Sequence, residues 1–130
     1  MILVDSSVWI DYFNGRRTPQ TDLLDDRLGT QPIVVGDLIL TEVLQGFQSD
    51  RDFAQAKRLL DSLVFAEMLG RDLAILSAQN YRTLRRKGVT VRKSLDVIIG
   101  TFCIAHRLPL LHSDKDFDPI ERHLGLKVVR

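Results

Sequence analysis

Ile2-Leu3-Val4-Asp5-Ser6-Ser7 is an apolar run that ends abruptly on a carboxylate and two hydroxyls. Three β-favouring or apolar side chains in succession suit a strand covered on both faces, as in the parallel sheets of α/β proteins. Asp5 then falls at the strand's carboxyl end. Ser6 or Ser7 can cap the helix Val8-Trp9-Ile10-Asp11-Tyr12-Phe13 by accepting a hydrogen bond from its first turn. Open α/β sheets place their sites at such strand ends. Taken alone, the hexapeptide also admits a second reading, in which Asp5 is an ordinary cap or turn residue.

The chain has 130 residues, which fits one domain, residues 1–130, burying about two-thirds of the surface its unfolded form exposes. Apolar residues make up 45% and charged residues 27%, so neither a disordered nor a fibrous protein is indicated. No apolar run is long enough to span a bilayer, and the N-terminus lacks the basic flank of a signal peptide. A cytoplasmic protein with no membrane association is the expectation. Cys103 is the only cysteine; it excludes an intrachain disulfide or a cysteine zinc site and reads as a buried small hydrophobe.

The net charge of +1 hides two imbalances: fourteen of the 17 acids are Asp, and thirteen of the 18 bases are Arg. Asp prefers caps, turns and metal sites over helix interiors. Arg suits bidentate contact with phosphate. Together they fit a protein that holds hard cations with one surface and polyanions with another.

Past the first helix, Thr18-Pro19 opens a second as cap and first position. Asp22, Asp25 and Asp26 form a solvated face near its positive end, and Gly29 ends it. Ile33-Val34-Val35 reads as a second buried strand, with Gly36-Asp37 as turn and cap. Leu38 through Leu44 is apolar nearly all round and must be largely buried, whether strand or helix. Glu42 is its only charge: it snorkels, pairs with an arginine, or ligates a cation. Ser49-Asp50-Arg51-Asp52 matches a capping box and starts a helix with Phe53, Ala56, Leu59, Leu60 and Leu63 on its apolar face. Val64-Phe65-Ala66 is a short strand or an extended connector. Gly70 with Asp72 introduces a helix whose Leu73, Leu76, Ala78, Tyr81 and Leu84 supply a core stripe, with Gly88 suited to its C-terminal cap.

From Leu73 through Leu95 there is no acid, while Arg82, Arg85, Arg86, Lys87, Arg92 and Lys93 are all basic. The dipole of a helix C-terminus accounts for some of these; six without a compensating acid also fit the phosphates of a nucleic acid. Ser94 is placed as the N-cap of a central helix, Leu95 through Ala105, apolar on every side, with Asp96 in its first turn. Helix polarity alone favours an acid there. Leu108-Pro109-Leu110-Leu111 returns as a strand and ends in His112-Ser113-Asp114-Lys115-Asp116-Phe117-Asp118. If that segment is extended, Asp114 and Asp116 face one cation while Phe117 turns inward. Asp118 caps a helix ending near Gly125, and Leu126-Lys127-Val128-Val129 supplies a last strand.

Alternating strands and helices imply an α/β fold, a mainly parallel central sheet flanked by helices on both faces, with strand carboxyl ends along one rim. Asp5 and Asp114 fall on that rim, and Glu42 and Asp96, each the lone acid of an apolar segment, point towards it if the topology closes around them. Four clustered carboxylates repel, and a divalent ion resolves the conflict. Ligands that are all oxygen select Mg²⁺ or Mn²⁺ over zinc. Such an ion activates water and stabilises charge on a phosphoryl oxygen, so phosphodiester hydrolysis is the natural chemistry. His106, His112 and His123 read as structural.

Ile2 through Ile10, Thr41-Glu42-Val43-Leu44-Gln45-Gly46, Ser94-Leu95-Asp96-Val97-Ile98-Ile99 and Leu110 through Asp118, in that order, together resemble the PIN-domain ribonucleases, specifically the VapC-type toxins of bacterial type II toxin–antitoxin pairs. The resemblance covers essentially the whole chain and implies a PIN-like fold and a Mg²⁺- or Mn²⁺-dependent endoribonuclease. It makes Asp5, Glu42, Asp96 and Asp114 the catalytic and metal-holding quartet, with Asp116 as an auxiliary ligand. Ser6 stands where such toxins carry Thr or Ser beside the first acid, placed to bond a carboxylate or a metal-bound water. Arg82, Arg85, Arg86, Arg92 and Lys93 are the candidate RNA contacts. The resemblance further implies a homodimer, neutralised by a VapB-type antitoxin in a heterotetramer or larger assembly, and a structured substrate of the transfer or ribosomal RNA class.

Two other classes compete. A phosphoaspartyl phosphatase or receiver also places acids at strand ends, and Asp114-Lys115-Asp116 mimics a DxD motif, but that motif belongs after the first strand. A non-catalytic RNA- or partner-binding module with a structural cation would show a missing quartet acid, and none is missing.

Overall fold

In the computed structural model, which describes residues 1–130, the opening stretch forms β1 (Ile2–Val4) with every side chain buried. It is one of four parallel strands, with β2 (Ile33–Gly36), β3 (Val64–Ala66) and β4 (Leu110–Leu111), in the order β3-β2-β1-β4. Leu3 stands opposite both Val34 and Leu110, which fixes the register of β2, β1 and β4. β1 and β2 are buried without alternation, as a strand covered on both sides must be. Seven helices flank the sheet: α1 (Ser6–Phe13), α2 (Pro19–Arg27), α3 (Asp37–Leu44), α4 (Asp50–Asp61), α5 (Arg71–Arg86), α6 (Ser94–His106) and α7 (Asp118–Leu124). None is long and apolar enough to cross a membrane.

The strand order positions the site. From β1 the chain winds outwards through β2 to β3, then returns to lay β4 on the other side of β1. The strand order therefore reverses between β1 and β4, the point at which open sheets hold a crevice outside the strand carboxyl ends. Backbone bonds hold its walls together: Leu3 N–H donates to Pro109 O at 3.0 Å and Asp5 N–H to Leu111 O at 2.9 Å.

Several local expectations change. Asp5, rather than Ser6 or Ser7, caps α1. Lys93, rather than Ser94, holds the cap position of α6, and Ser94 opens its first turn. Asp118 opens α7 and Phe117 takes its cap position. The apolar Leu38–Leu44 segment is helical but only Ile39 and Val43 are buried within it, because α3 is short and lays one face on its neighbours. Along α5 the inward line runs through Leu73, Ser77, Tyr81 and Leu84, the spacing of one helical face, which leaves Leu76 and Ala78 exposed. Small, buried Ser77 lies on this line, and beside it Asn80 Nδ2 donates to Thr101 Oγ1 of α6 at 2.9 Å.

The strand expected over Leu108–Leu111 shortens to two residues, and Leu126–Val129 contributes only the parallel bridge of Leu110 with Val128. Val64–Ala66 is a strand, at the sheet edge, with Val64 and Phe65 exposed. Cys103 is buried in α6 as expected. One turn earlier in that helix, Gly100 admits α7: a Cβ there would lie 2.8 Å from Ile120 Cγ2.

Candidate active site

β1 delivers Asp5 into the crevice, where the residue takes the capping role that the sequence offered as one reading. Asp5 Oδ2 accepts from Ser7 N–H at 3.0 Å, which caps α1, and from Ser7 Oγ at 2.6 Å. Ser7 Oγ in turn accepts from Ser113 N–H at 3.1 Å, so one hydroxyl ties the end of β1 to the loop after β4. The sequence reading assigned Ser7 no part beyond capping; a hydroxyl two residues past an acid at a helix start was the signal available for it. Asp5 is 3% exposed. Burial pushes its carboxyl above the ordinary value, against the Ser7 bonds and the nearby His112, which favour the charged form.

Glu42 reaches the same crevice from α3. Its Oε1 accepts from Ser6 Oγ at 3.0 Å, the carboxylate contact expected of Ser6. Burial raises the Glu42 pKa, Ser6 opposes that rise, and the charges of Asp5 and Asp114 add to it while Lys93 subtracts.

The third wall comes from the start of α6 and the turn after β4. The segment expected to be extended is a 3-10 turn over Lys115–Phe117, because Asp114 Oδ1 caps it by accepting from Asp116 N–H at 2.9 Å. The turn still aims Asp114 and Asp116 at one place and buries Phe117. Asp96, Asp114 and Asp116 offer ligand oxygens that all lie within 4.8 Å of one another. Asp5 and Glu42 stand outside that set, each hydrogen-bonded to a serine. The tightest cluster thus includes Asp116, expected as an auxiliary ligand.

The electrostatics divide these acids. Asp96 is 6% exposed; burial, and then the charges of Asp114, Asp5 and Asp116, raise its pKa to about 6 against the pull of Lys93. Its Oδ2 is buried and accepts no hydrogen bond. For Asp114, burial also opposes charge, but the Asp116 N–H bond and Lys93 prevail and hold its carboxyl below the ordinary value. Lys93 Nζ lies 3.1 Å from Asp114 Oδ2 and 3.5 Å from Asp96 Oδ2, and Arg92 lies 3.8 Å from Asp116 Oδ1.

The uncompensated basic patch therefore splits: Arg92 and Lys93, just ahead of α6, pair with the acids of this wall. Arg82, Arg85 and Arg86 remain exposed on α5 without an ion-pair partner, with the Arg85 guanidinium 5.9 Å from the Tyr81 ring centre.

His112 is bound into the turn by one ring nitrogen. Its Nδ1 accepts from Asp114 N–H at 3.2 Å, its ring lies 4.9 Å from that of Phe117, and burial holds its pKa down. His106 is bound to its own helix, with Nδ1 3.0 Å from Phe102 O.

The donor set fits a hard divalent cation. The converging atoms are all carboxylate oxygens, and the orphaned Asp96 Oδ2 together with the raised Asp5, Glu42 and Asp96 values are what a cation would relieve.

Residues 2–122 match the PIN domain family. Ribonuclease VapC11 of Mycobacterium tuberculosis is 33% identical over 132 residues, spanning 98% of this chain and 96% of that protein. Ribonuclease VapC1 of Methanocaldococcus jannaschii is 27% identical over 127 residues, spanning 98% of this chain and 85% of that protein. Among solved structures, VapBC2 from Rickettsia felis, bound to a DNA fragment from its promoter, superposes with a TM-score of 0.74 at 16% identity, covering 99% of this chain and 98% of the other. Mycobacterium tuberculosis VapC20, a sarcin-ricin loop cleaving toxin, gives 0.71 at 19% identity, covering 100% and 99%. At such identities the two structures speak to the fold alone.

Proposed function

The chain belongs to the PIN-domain family, among its VapC-type ribonucleases, and from that membership we propose that it is a toxin acting as a metal-dependent endoribonuclease, hydrolysing RNA phosphodiester bonds with Mg²⁺ or Mn²⁺. The observation that carries the reading is the convergence of Asp5, Glu42, Asp96, Asp114 and Asp116 on the crevice between the ends of β1 and β4. Structural proteins rarely gather five carboxylates where three of them resist ionisation.

Asp96, Asp114 and Asp116 would hold the ion, with Asp5 and Glu42 completing the acidic site. A bound divalent cation would supply charge neutralisation at a phosphoryl oxygen and an activated water. The chain's own part is placement. Ser7 orients Asp5, Ser6 orients Glu42, and the cap on the Asp116 N–H fixes Asp114. Arg82, Arg85 and Arg86 bind flanking phosphates of the RNA, drawn by charge and independent of sequence.

The substrate is a structured RNA of the transfer or ribosomal class. The protein acts as a homodimer, neutralised by a VapB-type antitoxin in a heterotetramer or larger assembly. Exposed Phe65, Leu69, Ile75 and Leu76 offer apolar surface for such contacts. A phosphoaspartyl mechanism is not favoured, since Asp5 is 3% exposed and its Oδ2 is engaged twice by Ser7.

The test is cleavage of transfer and ribosomal RNA by purified, antitoxin-free protein with Mg²⁺ or Mn²⁺, beside Asp5→Ala and Asp96→Ala. Both variants should lose activity by at least about a hundredfold, as removal of a transition-state charge stabiliser does; equal cutting by all three proteins rejects the site.

A further inference from the structure

Lys93 reaches into the cluster of acids that would hold a metal. Its Nζ bridges Asp114 Oδ2 at 3.1 Å and Asp96 Oδ2 at 3.5 Å, and no other base forms an ion pair with either acid. The bridge is built into the chain. Lys93 O accepts from Asp96 N–H at 3.2 Å at the start of α6, so the ammonium is tethered three residues from one carboxylate. Asp96 Oδ2 is buried without a hydrogen bond, which leaves Lys93 as the one cation facing it.

The three carboxylates converge within 4.8 Å, space for one cation. An ammonium and a divalent ion about 4 Å apart repel by several kcal/mol even at an effective dielectric of about 20. The acids are held by α6 and by a capped turn, whereas the Lys93 side chain is half-exposed on a flexible stem. Lys93 is therefore the partner able to leave.

Resting on the metal-dependent ribonuclease reading, we propose that Lys93 is an internal competitor for the metal position and a conditional phosphate ligand. It neutralises Asp96 and Asp114 in the metal-free protein, yields when a divalent ion enters, and then binds the adjacent phosphodiester of the RNA. Metal and RNA binding become coupled through this one side chain, since each favours the outward ammonium, and the coupling is reciprocal. RNA draws the competitor off the metal site, and the metal releases a base for the RNA.

Calorimetric titration with Mn²⁺, without RNA, tests the competition in wild type, Lys93→Met and Lys93→Arg. Lys93→Met should bind Mn²⁺ about tenfold more tightly, the effect of removing one charge from a site of this kind; Lys93→Arg, which keeps a competing charge, should stay near wild type. Lys93→Gln serves the same purpose if circular dichroism shows the Met variant unfolded. Fluorescence anisotropy of a labelled RNA then reads the coupling: Ca²⁺ should strengthen RNA binding several-fold in wild type and little in Lys93→Met. Wild-type Mn²⁺ binding that Lys93→Met leaves unchanged or weakens overturns the competitor role alone. Absence of Mn²⁺ binding in every protein overturns the metal-centre reading, and the competitor with it.

Discussion

Replacing Asp96 by Asn should stabilise the metal-free protein while abolishing its response to metal. Asp96 is 6% exposed and its Oδ2 accepts no hydrogen bond. Burial, joined by the charges of Asp114, Asp5 and Asp116, raises its pKa from 3.8 to about 6. At about 1.4 kcal/mol per pKa unit, holding it ionised above neutrality costs the fold at most about 3 kcal/mol, and nearer 1 where water in the crevice screens it.

The sign follows from linkage. A carboxyl with a raised folded-state pKa favours the fold most when protonated, and that advantage is lost as pH rises through about 6. Asn is nearly isosteric and never ionises. Its gain should be full near pH 7.5 and should fade towards pH 4. Thermal denaturation in EDTA reads this directly: at roughly 4 °C per kcal/mol for a domain of this size, Asp96→Asn should melt about 4–12 °C above wild type at pH 7.5. Saturating Mn²⁺ closes the gap or reverses the order, because ligand at a hundred times its Kd adds about 2.7 kcal/mol to wild type and little to the variant. A variant that melts below wild type in EDTA at pH 7.5, or an advantage that does not shrink with acidification, refutes the account of Asp96 as a strained carboxylate awaiting a cation.

Other consequences are simpler to read. Ser7→Ala removes the 2.6 Å bond to Asp5 and the acceptor for Ser113 N–H; chemical denaturation should show a loss of about 1–3 kcal/mol, with weakened Mn²⁺ binding, and Ser7→Thr should restore most of both. Gly36→Ala drives a Cβ into the thioether of Met68, a side chain itself fully buried. Overpacking of that kind costs about 1–3 kcal/mol, and the double variant with Met68→Ala should lose less than the sum of the single losses; strict additivity in urea melts counts against the clash. Arg82→Ala, Arg85→Ala and Arg86→Ala combined should weaken RNA binding alike across sequences and flatten its salt dependence, by about 0.7 in log–log slope for each single-strand phosphate no longer neutralised. An unaltered slope removes α5 from the RNA surface.

Apolar periodicity and helix punctuation are local properties, and they carried the architecture. Ile2–Val4 and Ile33–Val35 read as doubly covered strands because unbroken apolar runs have no polar face to show to water, and Thr18-Pro19 marked a helix start by the bonding its first turn needs. The same reasoning marked Asp5, Glu42, Asp96 and Asp114, since an acid inside an apolar segment carries a burial cost that must be met by something.

What meets it depends on residues far apart in the chain, and only the closed fold decides that. The order β3-β2-β1-β4 sets β1 against β4, which brings Ser113 onto Ser7 across 106 positions and Lys93 onto Asp114 across 21. It takes the stem of Lys93 into the acidic site, though the sequence reads it as part of a basic run. A cap on Asp116 N–H, invisible to an alternation rule, turns the extended reading of 114–117 into a 3-10 turn and draws Asp116 into the tightest cluster. Burial cost is written residue by residue, but compensation is a matter of distance, and distance is set by packing.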